Sequence, residues 1–182
     1  VDNIIIVGAM ANNFLAHKGL EIGNSLIEKN SKKIIENVYS QAKKKNCKII
    51  IPIDCNVSTN FKGSATSKKQ NEINKEEIIL DIGPETVKKI EEIIDKSNTI
   101  LWNGPAGYFE NKSFATGTNS IAKRISENTI NKSLISILGG GDTVSAVNKI
   151  GEKLTFTHLS TAGGAFLEYL EGKDLPGLSV LK

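Results

Sequence analysis

The sequence is poor in the residues and segments that mark secreted, membrane-spanning or metal-cluster proteins. It has only two cysteines, Cys47 and Cys55, which cannot form a disulfide framework, and neither has a nearby histidine or second cysteine to suggest a metal site. No apolar stretch approaches the length of a membrane span, and the first residues do not read as a secretory signal. We therefore expect a reducing, cytoplasmic compartment and no membrane partner.

The chain also lacks an excess of charge of one sign. Its 23 basic and 20 acidic residues give a net charge of +3, and the lysines are scattered, which argues against nucleic acid as a partner. The single methionine, Met10, is not the first residue, so either the start was processed or, as we expect, this is a piece of a longer polypeptide. With 182 residues, 39% of them hydrophobic, the chain can form one substantial domain, and we expect a monomer.

Several well-known catalytic motifs are missing. There is no Gly-x-x-x-x-Gly-Lys-Ser/Thr loop, which excludes a P-loop enzyme, and no Gly-x-Gly-x-x-Gly after the first predicted strand, which disfavours a dinucleotide fold. The two histidines, His17 and His158, are far apart in the sequence and share no plausible nucleophile. A Ser-His-Asp or Cys-His arrangement is therefore not supported.

Short β-rich runs alternate with amphipathic stretches along the whole sequence. Strands are predicted at residues 4–7, 48–53, 77–81, 99–102, 134–138 and 156–158. The stretches between them carry apolar residues at helical spacing, and Ser31 is the expected N-cap of one helix. The pattern predicts an α/β fold, a three-layer Rossmann-like domain in which a parallel sheet of about six strands has helices on both faces. The polar span 56–75 predicts a surface loop or short hairpin.

The turn at residues 139–143, Gly-Gly-Gly-Asp-Thr, carries the strongest functional signal. It follows an apolar run and precedes a helix-compatible stretch, so glycine backbone and a helix N-terminus could face an anion. Asp142 would repel a bare phosphate, and its presence therefore indicates a Mg²⁺ ion between the two. The turn predicts a metal–nucleotide site.

Other glycine-rich turns follow other strands, at the edge where parallel sheets bind ligands. At residues 102–110, the Asn103 amide could meet a ligand, Tyr108 could pack on a base and Glu110 could bond sugar hydroxyls, although Asn-Gly-Pro also makes a tight turn. The segment 160–165 could present helix N–H groups to a phosphoryl group, or could be ordinary capping. Asp81, next to Gly83-Pro84, could be a metal neighbour, but an acid just before a helix start is more commonly a helix cap or a partner of the helix dipole.

Five segments resemble, in order and spacing, the C-terminal nucleotide-binding domain of phosphoglycerate kinases: residues 2–14, 78–84, 102–110, 139–143 and 160–176. That family transfers a phosphoryl group reversibly between 1,3-bisphosphoglycerate and MgADP, a step of glycolysis. The resemblance spans residues 1–182. It implies that the domain's first strand–helix unit and the N-terminal phosphoglycerate-binding domain are missing, and that this piece alone is not a competent enzyme.

The resemblance also implies roles for individual residues. The adenine slot would be lined by Gly8, Leu80 and Tyr108. The ribose and phosphates would be held by Asn103, Pro105 and Glu110, with Gly107 in the same nucleotide-binding loop. The phosphates and Mg²⁺ would be held by Gly140, Gly141, Asp142 and Thr143, and Asp142 would act on the metal. The catalytic set would be Asp142 together with Gly163 and Gly164, which would face the transferred phosphoryl group.

Three positions depart from the family's usual pattern. Val7 and Ala9 stand where that family usually has glycines, and they would tighten the base slot. Ala162 replaces a glycine near the presumed transfer site, which is tolerable if its φ is negative. These substitutions support an alternative interpretation, a non-catalytic nucleotide-binding or interaction module on the same fold.

Overall fold

The computed structural model describes residues 1–180, which divide into two compact units. Unit 1 comprises residues 1–92 and 106–121, and unit 2 comprises residues 93–105 and the chain from residue 122 onward. Within the described residues, no helix is both long and apolar enough to cross a membrane.

Unit 1 contains a parallel pair of strands and a separate antiparallel sheet. The parallel pair is formed by β1 and β2, and the antiparallel sheet has the order β4–β3–β5. The strands are β1 (Asn3–Ile5), β2 (Lys48–Ile50), β3 (Asp54–Ser58), β4 (Thr66–Lys69) and β5 (Ile78–Ile82). The helices α1 (Gly8–His17) and α2 (Lys32–Lys44) lie in this unit, and α3 (Pro84–Ile94) and α4 (Thr116–Asn131) begin in it.

The core of unit 1 is built from α1, α2 and β3. Phe14 and Leu15 of α1 are buried in one cluster with Ile35 of α2 and with Cys55 and Val57 of β3. Burial is the main cause that raises the pKa of the Cys55 thiol to about 12, and the neighbouring acid Asp54 adds to it. The thiol therefore stays protonated and acts as a small apolar core residue.

Two consecutive asparagines fasten the segment after α1 to that helix. Asn12 Nδ2 donates to the Leu26 carbonyl oxygen at 3.0 Å, and Asn13 Oδ1 accepts from the Glu28 amide at 2.8 Å. Asn13 Oδ1 also accepts from the Ser31 hydroxyl at 3.2 Å. Ser31 is the N-cap of α2 by position, as predicted, but its hydroxyl bonds Asn13 and makes no cap bond to the helix.

Unit 2 is a parallel sheet whose strands end level with one another. Its order is β6–β7–β8, and the register pairs Asn103 with Gly139 and Gly139 with Ser160. The strands are β6 (Thr99–Asn103), β7 (Ile135–Gly139) and β8 (His158–Ser160), and the further helices are α5 (Gly141–Lys149), α6 (Gly163–Leu170) and α7 (Pro176–Ser179). The turns after β7 and β8 therefore begin side by side at one edge.

An ion-pair network in unit 2 joins Asp95, just after α3, to the second half of α4. The Asp95 carboxylate accepts from Asn128 Nδ2 at 2.9 Å and Arg124 at 2.6 Å, and it also accepts from Lys132 at 3.3 Å. The hydrogen bond from Asn128 and then that from Arg124 lower the pKa of Asp95 to about 2. The carboxylate therefore remains charged over the whole physiological range.

The predicted α/β class is confirmed, with a difference in how the strands pair. The sequence pattern predicts β5 in a parallel sheet, but it pairs with β3 in the antiparallel sheet. The span 56–75 does form a hairpin, and such a short connection brings β3 and β4 together antiparallel. The last predicted strand, 156–158, is displaced along the chain to His158–Ser160.

Candidate functional site

The edge of unit 2 is shaped by the turn between β7 and α5. Gly140 is the N-cap residue of α5 and has a φ of 92°, a conformation that glycine adopts without a steric penalty. Its amide donates to the Ser160 carbonyl oxygen at 3.1 Å, which ties this turn to the end of β8. A Cβ added at Gly139 would lie 2.8 Å from a ring carbon of Phe166 and 2.9 Å from Asn103 Nδ2. Glycine is therefore needed at position 139 because the Asn103 amide and the Phe166 ring pack directly on its backbone.

Thr143 connects this turn to the one that follows β6. The side chain is fully buried, and its hydroxyl oxygen accepts from the Gly104 amide at 2.7 Å. Gly104 itself has a φ of 100°, and its carbonyl oxygen accepts from the indole of Trp102 at 2.7 Å. The sequence resemblance gave Thr143 a place among the phosphate ligands, and its side chain here holds a neighbouring turn.

Two helix N-termini converge at this edge. Neither α5 nor α6 has a side-chain cap bond at its first turn, so N–H groups at both ends lack a side-chain acceptor. A Cβ added at Gly163 would lie 3.2 Å from Gly140 Cα, whereas Gly141 and Gly164 face open space. The positive ends of two helix dipoles and unobstructed backbone together favour a bound anion.

Asp142 is the only acid in the first turn of α5, and it is exposed. Within residues 1–180, no three His, Cys, Asp or Glu side chains come together as a preformed metal site. A single carboxylate beside two helix N-termini suits Mg²⁺, which is commonly held by one or two carboxylates, substrate phosphates and water. The donor set therefore fits a metal that arrives with a polyphosphate.

Unit 1 brings a second group of predicted residues together around the loop 106–110. The Gly8 amide donates to the Ala106 carbonyl oxygen at 3.1 Å, and the Tyr108 amide donates to the Leu80 carbonyl oxygen at 2.6 Å. Gly8 is the first residue of α1, which also has no side-chain cap bond. The backbone of this loop therefore joins the start of α1 to β5, and Gly8, Leu80 and Tyr108 become neighbours.

The side chain of Tyr108 lines an open groove of about 470 Å³. Its ring meets that of Phe61 edge-on, with the centroids 5.2 Å apart, and Glu110 lies on the same groove. The remaining lining residues are Lys62, Asn111 and Lys112. Asn111 Nδ2 donates to the Phe61 carbonyl oxygen at 2.9 Å, which fixes the hairpin loop against the loop that carries Tyr108.

Sequence reasoning did not select Phe61 or its lysine neighbour as site residues. Both lie in the polar span that was predicted only as a surface loop or hairpin. One signal was present: Phe61 is a lone aromatic in that span, and its side chain remains about half exposed. This signal is weak, because a single exposed apolar side chain is normal on a protein surface.

Asp81 lies against the loop 106–110 and is almost completely buried. Its carboxylate accepts from the Gly117 amide at 2.8 Å, near the start of α4, and from the Ile82 amide at 2.9 Å. A Cβ added at Gly107 would lie 2.4 Å from Asp81 Oδ1, so that glycine lets the loop rest on the carboxylate. Asp81 thus caps α4 and not α3, the helix that directly follows it, whose first-turn amides donate to the Asp54 carboxylate. Burial raises the pKa of Asp81 to about 7.

The three positions that depart from the family's usual pattern are accommodated without backbone strain. Val7 is extended, with φ −131° and ψ −179°, and immediately precedes α1. Ala162 has a φ of −80°, which is the negative value that its methyl group requires. Ala9 lies within the first turn of α1.

Comparison with known proteins assigns the chain to a family. A family model described as phosphoglycerate kinase matches residues 1–173. The phosphoglycerate kinases of Bradyrhizobium diazoefficiens and Zymomonas mobilis are 45% and 43% identical, in each case over 100% of this chain and 46% of the relative. The chain thus spans about half the length of these relatives.

Solved structures agree with the sequence comparison. The phosphoglycerate kinase of Coxiella burnetii matches with a TM-score of 0.91 and 37% identity, over 100% of this chain and 47% of that one. That of Pyrococcus horikoshii matches with a TM-score of 0.75 and 30% identity, over 100% and 45% respectively. The predicted Rossmann-like α/β class is thereby confirmed, and the chain belongs to the phosphoglycerate kinase family.

Proposed function

We propose that this chain is the C-terminal, nucleotide-binding part of a phosphoglycerate kinase and binds MgADP and MgATP. The reaction would be the reversible transfer of a phosphoryl group between 1,3-bisphosphoglycerate and MgADP, giving 3-phosphoglycerate and MgATP, as in glycolysis. The observation that carries the proposal is the pair of uncapped helix N-termini, of α5 and α6, that converge at Gly140 and Gly163. Phosphoryl transfer depends mainly on positioning and on neutralising charge, and these elements supply both.

In unit 2 the proposed ligands of the phosphates are backbone groups. Gly140 and Gly141 would offer N–H groups without a side chain in the way, and Thr143 would keep the turn in place through its bond to Gly104. Asp142 would hold Mg²⁺, which supplies charge neutralisation for the phosphates when it is bound. Gly163 and Gly164, at the start of α6, would face the transferred phosphoryl group. Asn103 and Pro105 would contact the ribose and phosphates.

In unit 1 the proposed role is recognition of the nucleoside. Gly8, Leu80 and Tyr108 would contact the adenine, and Gly107 would let the loop lie close to its support. Glu110 would accept hydrogen bonds from the ribose hydroxyls. Phe61 extends this proposal, because its ring packs on Tyr108 and adds an apolar wall to the groove.

We further propose that phosphoglycerate is bound by the part of the relatives' length that this chain does not span. The chain by itself would then bind nucleotide without turning it over. A polypeptide of full family length should restore transfer, and nucleotide binding without any transfer in that longer polypeptide would favour the alternative, a non-catalytic module. The substitutions at Val7, Ala9 and Ala162 are the observations that support this alternative.

Titration calorimetry with MgADP and with metal-free ADP tests the nucleotide proposal. Asp142→Asn should weaken MgADP binding at least about tenfold, since it removes a charged ligand of the metal. The same variant should bind metal-free ADP as well as the wild type or better, because the carboxylate repels a bare phosphate. Glu85→Gln is a matched control, because Glu85 is an exposed acid in the first turn of α3 in unit 1. Equal affinities with and without Mg²⁺ in the unmodified chain would remove Asp142 from its proposed role.

A further inference from the structure

The sequence contains a single Asn-Gly pair, Asn103-Gly104, and it lies at the exposed end of β6. Asn-Gly is chemically labile because the glycine nitrogen can approach the asparagine side chain without hindrance from a Cβ. The amide nitrogen of Gly104 attacks Cγ of Asn103, a five-membered succinimide forms, and ammonia leaves. Water then opens the ring at either carbonyl, and the product is aspartate or isoaspartate.

The reacting nitrogen is held by the hydrogen bond described above. Gly104 N donates to Thr143 Oγ1 at 2.7 Å, and Thr143 is fully buried. For the attack, the Gly104 nitrogen must lose its proton and turn toward the Asn103 side chain, and both changes require this bond to break. The Asn103 amide is also confined, since it lies beside the backbone of Gly139 and Gly140.

We propose that Asn103-Gly104 is a site of spontaneous deamidation whose rate is controlled by the Thr143 hydroxyl. The reaction is slow while the Gly104 amide is bonded to Thr143, and it accelerates when that bond opens. The only co-reactant is water, which replaces the ammonia that leaves. The site and the residue that controls it both belong to unit 2.

The product would change the edge of the sheet in two ways. A carboxylate at position 103 adds a negative charge beside the turn 139–143, and isoaspartate inserts a methylene group into the main chain where Asn103 pairs with Gly139. If the proposed function holds, either product weakens binding of the nucleotide phosphates, because like charges repel. This consequence rests on the proposed function, whereas the deamidation rate does not.

The experiment follows deamidation by mass spectrometry of tryptic peptides during incubation in mildly alkaline buffer without nucleotide. The wild-type chain should gain Asp and isoAsp peptides at residue 103, in proportions that indicate a succinimide. Thr143→Val, which removes the acceptor of the Gly104 amide, should raise the deamidation rate about fivefold, because the net strength of one ordinary hydrogen bond corresponds to a factor of this size. Thr143→Ser keeps a hydroxyl and should stay near the wild-type rate.

The three Asn-Ser pairs, at Asn24, Asn30 and Asn119, serve as internal references. Acceleration at residue 103 alone supports the proposal, whereas an unchanged rate in a folded Thr143→Val chain overturns it. Faster deamidation of that variant at all four positions would show that it has unfolded. Hydrogen exchange of the Gly104 amide in the wild-type chain then tests the proposal. A Gly104 amide that exchanges as fast as an unstructured one would refute the restraint, and a protected one would support it.

Discussion

Replacing the buried Asp81 by asparagine should remove most of the pH dependence of stability near neutrality. In the unfolded chain an aspartate titrates near 3.8, whereas burial raises the pKa of Asp81 to about 7 in the folded chain. Between these two values the folded chain holds one more proton than the unfolded chain, so stability falls as pH rises. The difference between these two pKa values corresponds to a loss of roughly 4 kcal/mol in the free energy of unfolding, and about 3 kcal/mol of that loss occurs between pH 5 and pH 8.

The physical reason is that the carboxylate loses its hydration and, among the described residues, gains no cation in return. Hydrogen bonds from the amides of Gly117 and Ile82 lower the pKa, but they do not offset the effect of burial. The amide side chain of the variant would keep an oxygen acceptor for one of these donors and would carry no charge. We therefore expect Asp81→Asn to flatten the decline in stability and to match or exceed the wild type at about pH 8.

Urea unfolding, followed by far-UV circular dichroism at several pH values, gives the free energy of unfolding directly. Asp95→Asn is a suitable control, because the pKa of Asp95 is about 2 in the folded chain and its stabilising effect is lost only in acid. This control should lower stability without changing the slope between about pH 5 and pH 8. A variant at position 81 that retains the wild-type slope would show that Asp81 is ionised in the folded chain and would refute the reasoning.

Other predictions concern the glycines, the groove and the ion-pair network. Gly139→Ala should destabilise the chain by about 1–3 kcal/mol in urea unfolding because its Cβ has no room, whereas Gly141→Ala should be neutral or slightly stabilising. Phe61→Ala should weaken MgADP binding by calorimetry about threefold to tenfold through loss of its contact with Tyr108, while an unchanged affinity would exclude the groove from nucleoside recognition. Asn128→Ala should raise the pKa of Asp95 from about 2, as measured by NMR titration, because the largest cause of its depression is removed.

Much of the fold could be predicted because local patterns and long-range packing agree. Apolar runs placed β6 and β7 within about one residue. The order of the strands and their pairing were harder to predict. β5 is an apolar run like the parallel strands, and nothing in its composition reveals that its neighbour β3 runs in the opposite direction.

The candidate site was predictable where glycine and charge occur together in the sequence. The turn 139–143 adopts the expected strand–turn–helix form, with a positive φ at Gly140. The burial of Thr143 was not predictable, because its partner is a backbone amide 39 residues away. Phe61 was missed for the same reason, since its contact with Tyr108 depends on a hairpin that folds back over the loop.

The hydrogen bond between the Trp102 indole and the Gly104 carbonyl has a practical consequence. Trp102 is the only tryptophan of the chain and is 7% exposed, so its fluorescence comes from one defined environment. Any rearrangement of the turn after β6 must alter this bond or the solvent around the ring, and the emission would shift in wavelength or intensity. The chain therefore carries an intrinsic optical reporter, and ligand-induced changes at this turn can be followed in stopped-flow experiments without a label.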